Sequence, residues 1–197
     1  MNLPNKITLA RVGMIFLFLV ISNTDDIVGE EYSHVWKVFG LAIAFLAGFT
    51  DFVDGYLARK YNMITDFGRL MDPVADKIFV TTAFIVLVEN NILSGWIAVI
   101  ILSREFLVTG LRLLAASKGQ IVPADSTGKL KTFLQMIFLI LGGAIWVGWI
   151  DKSDSIFFKS DVMFIWFSSL MIIVLITVYS GVSYFIRYRN LFFSKST

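Results

Sequence analysis

Five aspartates crowd into residues 51–76 of this 197-residue chain: Asp51, Asp54, Asp66, Asp72 and Asp76. Asp51 and Asp54 are three apart, and Asp72 and Asp76 are four apart. On a helix, either spacing puts two side chains on one face. Two such helices joined by a short turn would aim four carboxylates at one volume. Four unpaired carboxylates repel, and the first pair falls near a helix C-terminus, where the dipole disfavours anions. They must protonate or bind cations. Oxygen-only ligands select hard ions such as Mg2+, Mn2+ or Ca2+, and two divalent ions would balance four negative charges. Paired metals suit an in-line displacement at phosphorus, because they clamp the attacking and leaving oxygens.

The residues between the acids fit a ligand or a close helix pair. Gly55 follows Asp54, Ala58 lies one turn later, and Gly68 lies one turn before Asp72. Small residues let membrane helices approach closely or let a flat ligand lie against the backbone. Arg59 is one turn beyond Gly55 and can reach a phosphate. Pro73 suits the first turn of a helix, which would make Asp72 its cap. A single aspartate near a helix end is ordinarily solvated or ion-paired; four of them with two glycines favour a shared site. Asp66, in "TDFG", reads first as a turn or cap residue and second as a ligand contact.

The elements that position these residues belong in a membrane. Hydrophobic residues make up 57% of the chain and charged residues only 16%, against about a quarter charged in soluble domains. A chain this short could not hide that much apolar surface, so an all-α integral membrane protein is expected, with residues 1–197 as one domain. A helical span needs about 20 apolar residues, which gives six transmembrane helices at about 6–22, 35–57, 72–90, 94–116, 129–149 and 161–187. The N-terminal segment reads as the start of a retained helix rather than a signal peptide. With both termini cytoplasmic, only Lys37, Lys152 and Lys159 of the 17 Lys and Arg residues fall outside. That asymmetry turns the aspartates toward the cytoplasm. The chain has no cysteine, which removes disulfides and thiolate chemistry, and its net charge of +2 gives no reason to expect nucleic acid.

Asp51-x2-Asp54-Gly55-x2-Ala58-Arg59-x8-Gly68-x3-Asp72-x3-Asp76 resembles the signature of the CDP-alcohol phosphotransferases, with every fixed position at its spacing. Three further segments, "NLPNKITLAR", "REFLVTGLR" and "GKLKT", resemble the branch whose donor is CDP-diacylglycerol and whose acceptor is glycerol 3-phosphate. The resemblance implies a six-helix membrane enzyme, commonly a homodimer among membrane lipids. It implies two divalent metal ions, Mg2+ or Mn2+, held by Asp51, Asp54, Asp72 and Asp76. It makes Asp76 also the general base and gives Gly55, Ala58 and Arg59 to the CDP-lipid. Asn5 and Thr8 are nucleotide-side candidates, and Asp66 is a lesser one.

An acceptor that carries a phosphate needs a second, basic site. Arg104 lies deep enough in an apolar helix that lipid exposure would be costly, so it should face a polar cavity. Arg104, Arg112 and Lys129 are the expected phosphate contacts. The competing expectation is that Arg104 pairs with a carboxylate between helices and that the lysines anchor at headgroups. Lys131, Arg187 and Arg189 are expected to be anchors. A sister transferase with another acceptor, or a divalent-cation transporter, would share parts of this pattern. A transporter should carry its acids near mid-membrane on several spans, whereas these cluster at one edge.

Overall fold

The structure is a computed structural model that describes residues 3–60, 66–117, 119, 126–150 and 158–193. Within those helices the side chains of Asp54, Ala58, Arg59, Asp66 and Lys129 lie outside the described residues, so the expectations placed on them concern backbone position only. Every regular element among the described residues is helical. Six helices are long: α1 (Leu3–Asn23), α3 (Glu30–Lys60), α4 (Asp66–Glu89), α5 (Gly95–Ser117), α6 (Ser126–Val147) and α7 (Phe158–Phe193). The four-residue α2 (Asp25–Val28) links α1 to α3, and Gly29 at φ 84° closes the link in the left-handed region that favours glycine.

Four stretches are long and apolar enough to cross a membrane: Asn5–Asn23, Glu31–Asp51, Leu130–Val147 and Phe164–Arg189. They expose large apolar side chains in number, among them Phe16, Phe45, Phe133 and Leu175, which suits a lipid solvent and not water. The helices α4 and α5 fall outside that group, and they carry Asp72, Asp76, Arg104, Glu105 and Arg112. The apolar stretch within α3 closes at Asp51, where the carboxylates begin.

One expectation needs correction. Pro73 does not open a helix; it lies inside α4, which starts at Asp66. Asp72 is therefore a helix-interior residue and not a cap. Proline removes one i→i−4 hydrogen bond, and the helix carries on through that gap, so the acidic segment is more helical than its proline suggests. Asp66 becomes the first helical residue, a position where an acid is favoured.

The chain gathers into two compact units, Met1–Ile92 with Gly143–Ile150, and Leu93–Gly142 with Asp151–Thr197. In the first, α1 packs on α3 and α4 around a core of Phe18, Ile21, Leu41, Ile43, Ala44, Val86, Trp146 and Val147. Phe18 meets Trp146 edge-on with ring centroids 5.7 Å apart. A Cβ at Gly40 would fall 2.8 Å from Ile21 Cγ2 and 3.1 Å from the Trp146 ring, so glycine there permits the helix contact. Gly143 likewise faces Leu41; "GGAIWVG" is a packing segment, as its small residues suggest. His34 Nδ1 lies 3.1 Å from the Val147 carbonyl oxygen, an ordinary contact between helix ends.

In the second unit α5 packs on α7, and Phe138 of α6 stacks on Trp166 of α7 with centroids 4.2 Å apart. Buried positions recur at three- and four-residue steps on each helix: Ile97, Ile101, Val108, Leu111 and Ala115 on α5; Lys131, Gln135 and Phe138 on α6; Leu170, Ile173, Thr177, Ser180 and Tyr184 on α7. That spacing is the stripe a packed helix turns inward. Arg104 falls in register between Ile101 and Val108. Several of these inward stripes are polar over part of their length, and those parts hold the residues of interest.

Candidate active site

The acidic end of the first unit is organised by α1. Thr8 and Arg11, three apart on one helix face, each hold one acid from a different helix. Thr8 Oγ1 donates to Asp72 Oδ1 of α4 at 3.1 Å, and Arg11 Nη1 donates to Asp51 Oδ1 of α3 at 2.5 Å. Both donors are buried, at 1% exposure, while Asp51 is half exposed. Asp72 and Asp76 are exposed and share a face of α4 one turn apart. Asn5 is buried one turn before Thr8. Gly55 and Gly68 are each half-buried on the helices that carry the acids.

Arg11 was not foreseen as part of this arrangement. At the start of an apolar helix it looks like an edge residue. Its place at a three-or-four-residue step from Thr8 and Ile15, both buried, is the signal that it turns inward. A buried guanidinium needs a counterion, and the α3 carboxylate supplies one.

Among the described residues no three histidine, aspartate or glutamate side chains are gathered closely enough to hold one ion. The structure joins Asp51 and Asp72 to α1, not to each other, and the Asp54 side chain is not described. The donor set nevertheless suits a hard divalent cation: carboxylate oxygens alone, exposed, with Asp51 and Asp72 already oriented by hydrogen bonds that leave the carboxylates facing solvent.

The second unit holds the cations. Arg104 Nη2 donates to Ser180 Oγ at 2.6 Å, and Nη1 lies 3.7 Å from Glu105 Oε1. Lys131 donates to the same Glu105 oxygen and is wholly buried. The expectation that Lys131 anchors at a headgroup is therefore wrong. Its spacing from the buried Gln135 and Phe138 puts it on the inward stripe of α6, where solvent and lipid headgroups do not reach. Arg104 lies beside a carboxylate of its own helix, Glu105, and its fork is held by Ser180 of α7. Arg112, exposed two turns further along α5, donates from Nη2 to the Tyr184 hydroxyl at 3.0 Å and lies 5.7 Å from that ring's centroid.

The CDP-alcohol phosphatidyltransferase family matches residues 1–179. The chain belongs to that family. It is 45% identical over 141 residues to a Bacillus subtilis protein named CDP-diacylglycerol–glycerol-3-phosphate 3-phosphatidyltransferase, covering 69% of this chain and 73% of that relative. A Rickettsia typhi protein of the same name is 35% identical over 189 residues, 93% of this chain and 95% of the relative. A Mycobacterium tuberculosis protein named probable phosphatidylglycerophosphate synthase is 41% identical over 136 residues, 69% of this chain and 63% of the relative.

Membership in the CDP-alcohol phosphatidyltransferases, with four apolar helices, makes the chain a membrane protein. It also accounts for the combination the structure presents, in which α4 and α5, which carry Asp72, Asp76, Arg104 and Arg112, fall outside the stretches apolar enough to cross a membrane. A transferase with a polar donor and a lipid tail needs polar groups that are held in place yet open to water. The acids fixed from behind by Thr8 and Arg11 meet that need.

Proposed function

We propose that this protein transfers the phosphatidyl group of CDP-diacylglycerol to the hydroxyl of sn-glycerol 3-phosphate, giving phosphatidylglycerophosphate and CMP. The observation that carries the proposal is the complete aspartate signature on α3 and α4, with one acid on each helix oriented from α1. The names of the relatives support the choice of donor and acceptor.

Asp51, Asp54, Asp72 and Asp76 would hold two divalent ions, Mg2+ or Mn2+. When bound, the ions supply positive charge to the donor diphosphate and its leaving group. Asp76 takes the proton of the acceptor hydroxyl. The hydroxyl oxygen then bonds to the phosphorus that bears diacylglycerol, the P–O bond to CMP breaks, and CMP leaves with the bridging oxygen. A carboxylate close to a metal is a weak base, so Asp76 needs the acceptor hydroxyl to be acidified as well. Gly55 and Ala58 leave room for the nucleoside, Arg59 offsets charge on the transferring oxygens, and Asn5, Thr8 and Asp66 border the nucleotide. Thr8 does so in part through Asp72. Arg104, Arg112 and Lys129 bind the acceptor phosphate.

Residues 1–197 act as one enzyme domain with six membrane spans and both termini cytoplasmic. The enzyme works as a homodimer in the plasma membrane with its acids at the cytoplasmic face. The distribution of Lys and Arg supports that orientation. The test is CMP release from CDP-diacylglycerol by the purified protein with a panel of alcohols. Glycerol 3-phosphate should stimulate release far more than serine, inositol phosphate or phosphatidylglycerol; equal stimulation by serine would sink the proposal.

A further inference from the structure

The second unit buries a charge pair for which the chemistry above has no use. Lys131 is fully enclosed, so it reaches neither lipid headgroups nor a substrate in solution. Burying an ammonium is costly unless a partner compensates, and here the partner is Glu105. The same Glu105 oxygen faces Arg104 Nη1 at 3.7 Å. One carboxylate is thus shared between two cations, and the trio carries one net positive charge in a poorly polarisable interior.

We propose that Lys131 and Glu105 are positioning residues that keep Arg104 available to the phosphate of the acceptor. This rests on the acceptor-phosphate role given to Arg104 above. Without Lys131, Glu105 would be free to form a two-pronged pair with the neighbouring guanidinium and neutralise it. With Lys131 holding the carboxylate oxygen, Arg104 stays only partly compensated. Ser180 fixes one end of its fork at 2.6 Å. Gly181 makes room for its stem, since a Cβ there would lie 3.2 Å from Arg104 Cγ. Arg104 Nε is buried and has no hydrogen-bond partner among the described residues, and neither does Thr177 Oγ1, one turn before Ser180 on the same face of α7. Leftover buried donors beside a guanidinium only partly compensated by Glu105 suit an anion with several acceptor oxygens. A phosphate monoester has both properties in full, whereas serine offers one carboxylate offset by its own ammonium, and a neutral alcohol offers no anion.

The test uses the full-length protein in detergent, with initial rates of CMP release measured while glycerol 3-phosphate and CDP-diacylglycerol are varied separately. Lys131→Met should raise the KM for glycerol 3-phosphate by about 10-fold, the worth of one charge-assisted hydrogen bond. The KM for CDP-diacylglycerol should stay within about 2-fold. Combining it with Glu105→Gln removes the competitor for Arg104 along with its restraint. The double variant should therefore return to within about 3-fold of the wild-type acceptor KM. Because it removes the fully buried ammonium together with its carboxylate and leaves Arg104 hydrogen-bonded to Ser180, it also carries the test if the single variant does not fold, and a 10-fold weaker acceptor KM in the double variant would then overturn the proposal. Equal changes in both KM values, or a double variant no better than the single one, would also overturn it, as expected of a purely structural pair.

A parallel titration with inorganic phosphate, read as a shift in melting temperature, separates this proposal from its parent. Phosphate binding about 10-fold weaker in Lys131→Met supports the positioning role even if glycerol 3-phosphate proves not to be the acceptor. Unchanged phosphate binding removes the role even if the transferase activity is established.

Discussion

The acids of the first unit and the cations of the second handle charge in opposite ways. Asp51, Asp72 and Asp76 are exposed, and the donors that hold Asp51 and Asp72, Arg11 and Thr8, stand behind them on α1. Lys131 is buried and Arg104 largely so, and their shared counterion comes from within the same cluster. The difference follows from where the compensating charge is to come from. Carboxylates that must receive a soluble cation need access to water and oxygens beyond those paired internally; Arg11 holds Oδ1 of Asp51 at 2.5 Å, and half of that side chain stays exposed. Cations set into a lipid-embedded bundle have no water to fall back on, so the protein supplies a carboxylate of its own. Arg11 lies between these cases. It is buried like the cations and serves the acids, which shows that α1 contributes to the acidic end as much as the two helices that bear the signature.

Substitutions at the two ends should sharpen the contrast. The largest effect is expected at Asp76→Asn, which removes a general base and a charge together. Turnover should fall by about 1000-fold with little change in melting temperature, since the side chain is exposed. A wild-type rate would remove Asp76 from the chemistry. Lys131→Ala should behave in the reverse manner, because it leaves Glu105 without its buried partner. A stability loss of about 3 kcal/mol is expected, read as a lower denaturation midpoint in detergent. Much of it should be recovered by adding Glu105→Gln, and if the single and double variants are equally stable, the pair is not the structural unit described here.

Gly40→Ala tests packing apart from charge. The new methyl group meets Ile21 and Trp146 at 2.8 and 3.1 Å. Overpacking of this kind costs 1–3 kcal/mol, against a gain of about 1 kcal/mol from replacing a helical glycine. A net loss of about 1 kcal/mol is expected, with both KM values unchanged. Thr8→Val should show the smallest effect. It removes one hydrogen bond to an exposed carboxylate, and turnover should drop by about 3-fold. A drop as deep as that of Asp76→Asn would mean that Thr8 touches the donor directly.

Much of this was legible in the sequence because it depends on local chemistry. Runs of apolar residues located the six long helices, with the start of α3 (Glu30), the start of α4 (Asp66) and the end of α7 (Phe193) lying furthest beyond the expected spans. The spacing of the aspartates assigned them in pairs to two helices, and the small residues of "GGAIWVG" fit the packing contact found there. What was misjudged depended on partners distant in sequence. Pro73 reads as a helix start, yet α4 runs through it, since losing one backbone bond is tolerable when the turns on both sides are held. Lys131 reads as an anchor because it sits near a span end among other basic residues. Only its register with Gln135 and Phe138 hinted that it points inward, and register alone does not reveal a counterion 26 positions earlier in the chain.

The sequence by itself determined that the chain is helical and suited to lipid, and that its aspartates share a pattern belonging to one family of transferases. Composition, helical periodicity and residue spacing are local properties, and they survive whatever the chain packs against. Only the tertiary structure decided which acids are held by α1 and which cations are buried. Those outcomes turn on the cost of leaving a charge unpaired away from water, and that cost is fixed by which helix lies alongside.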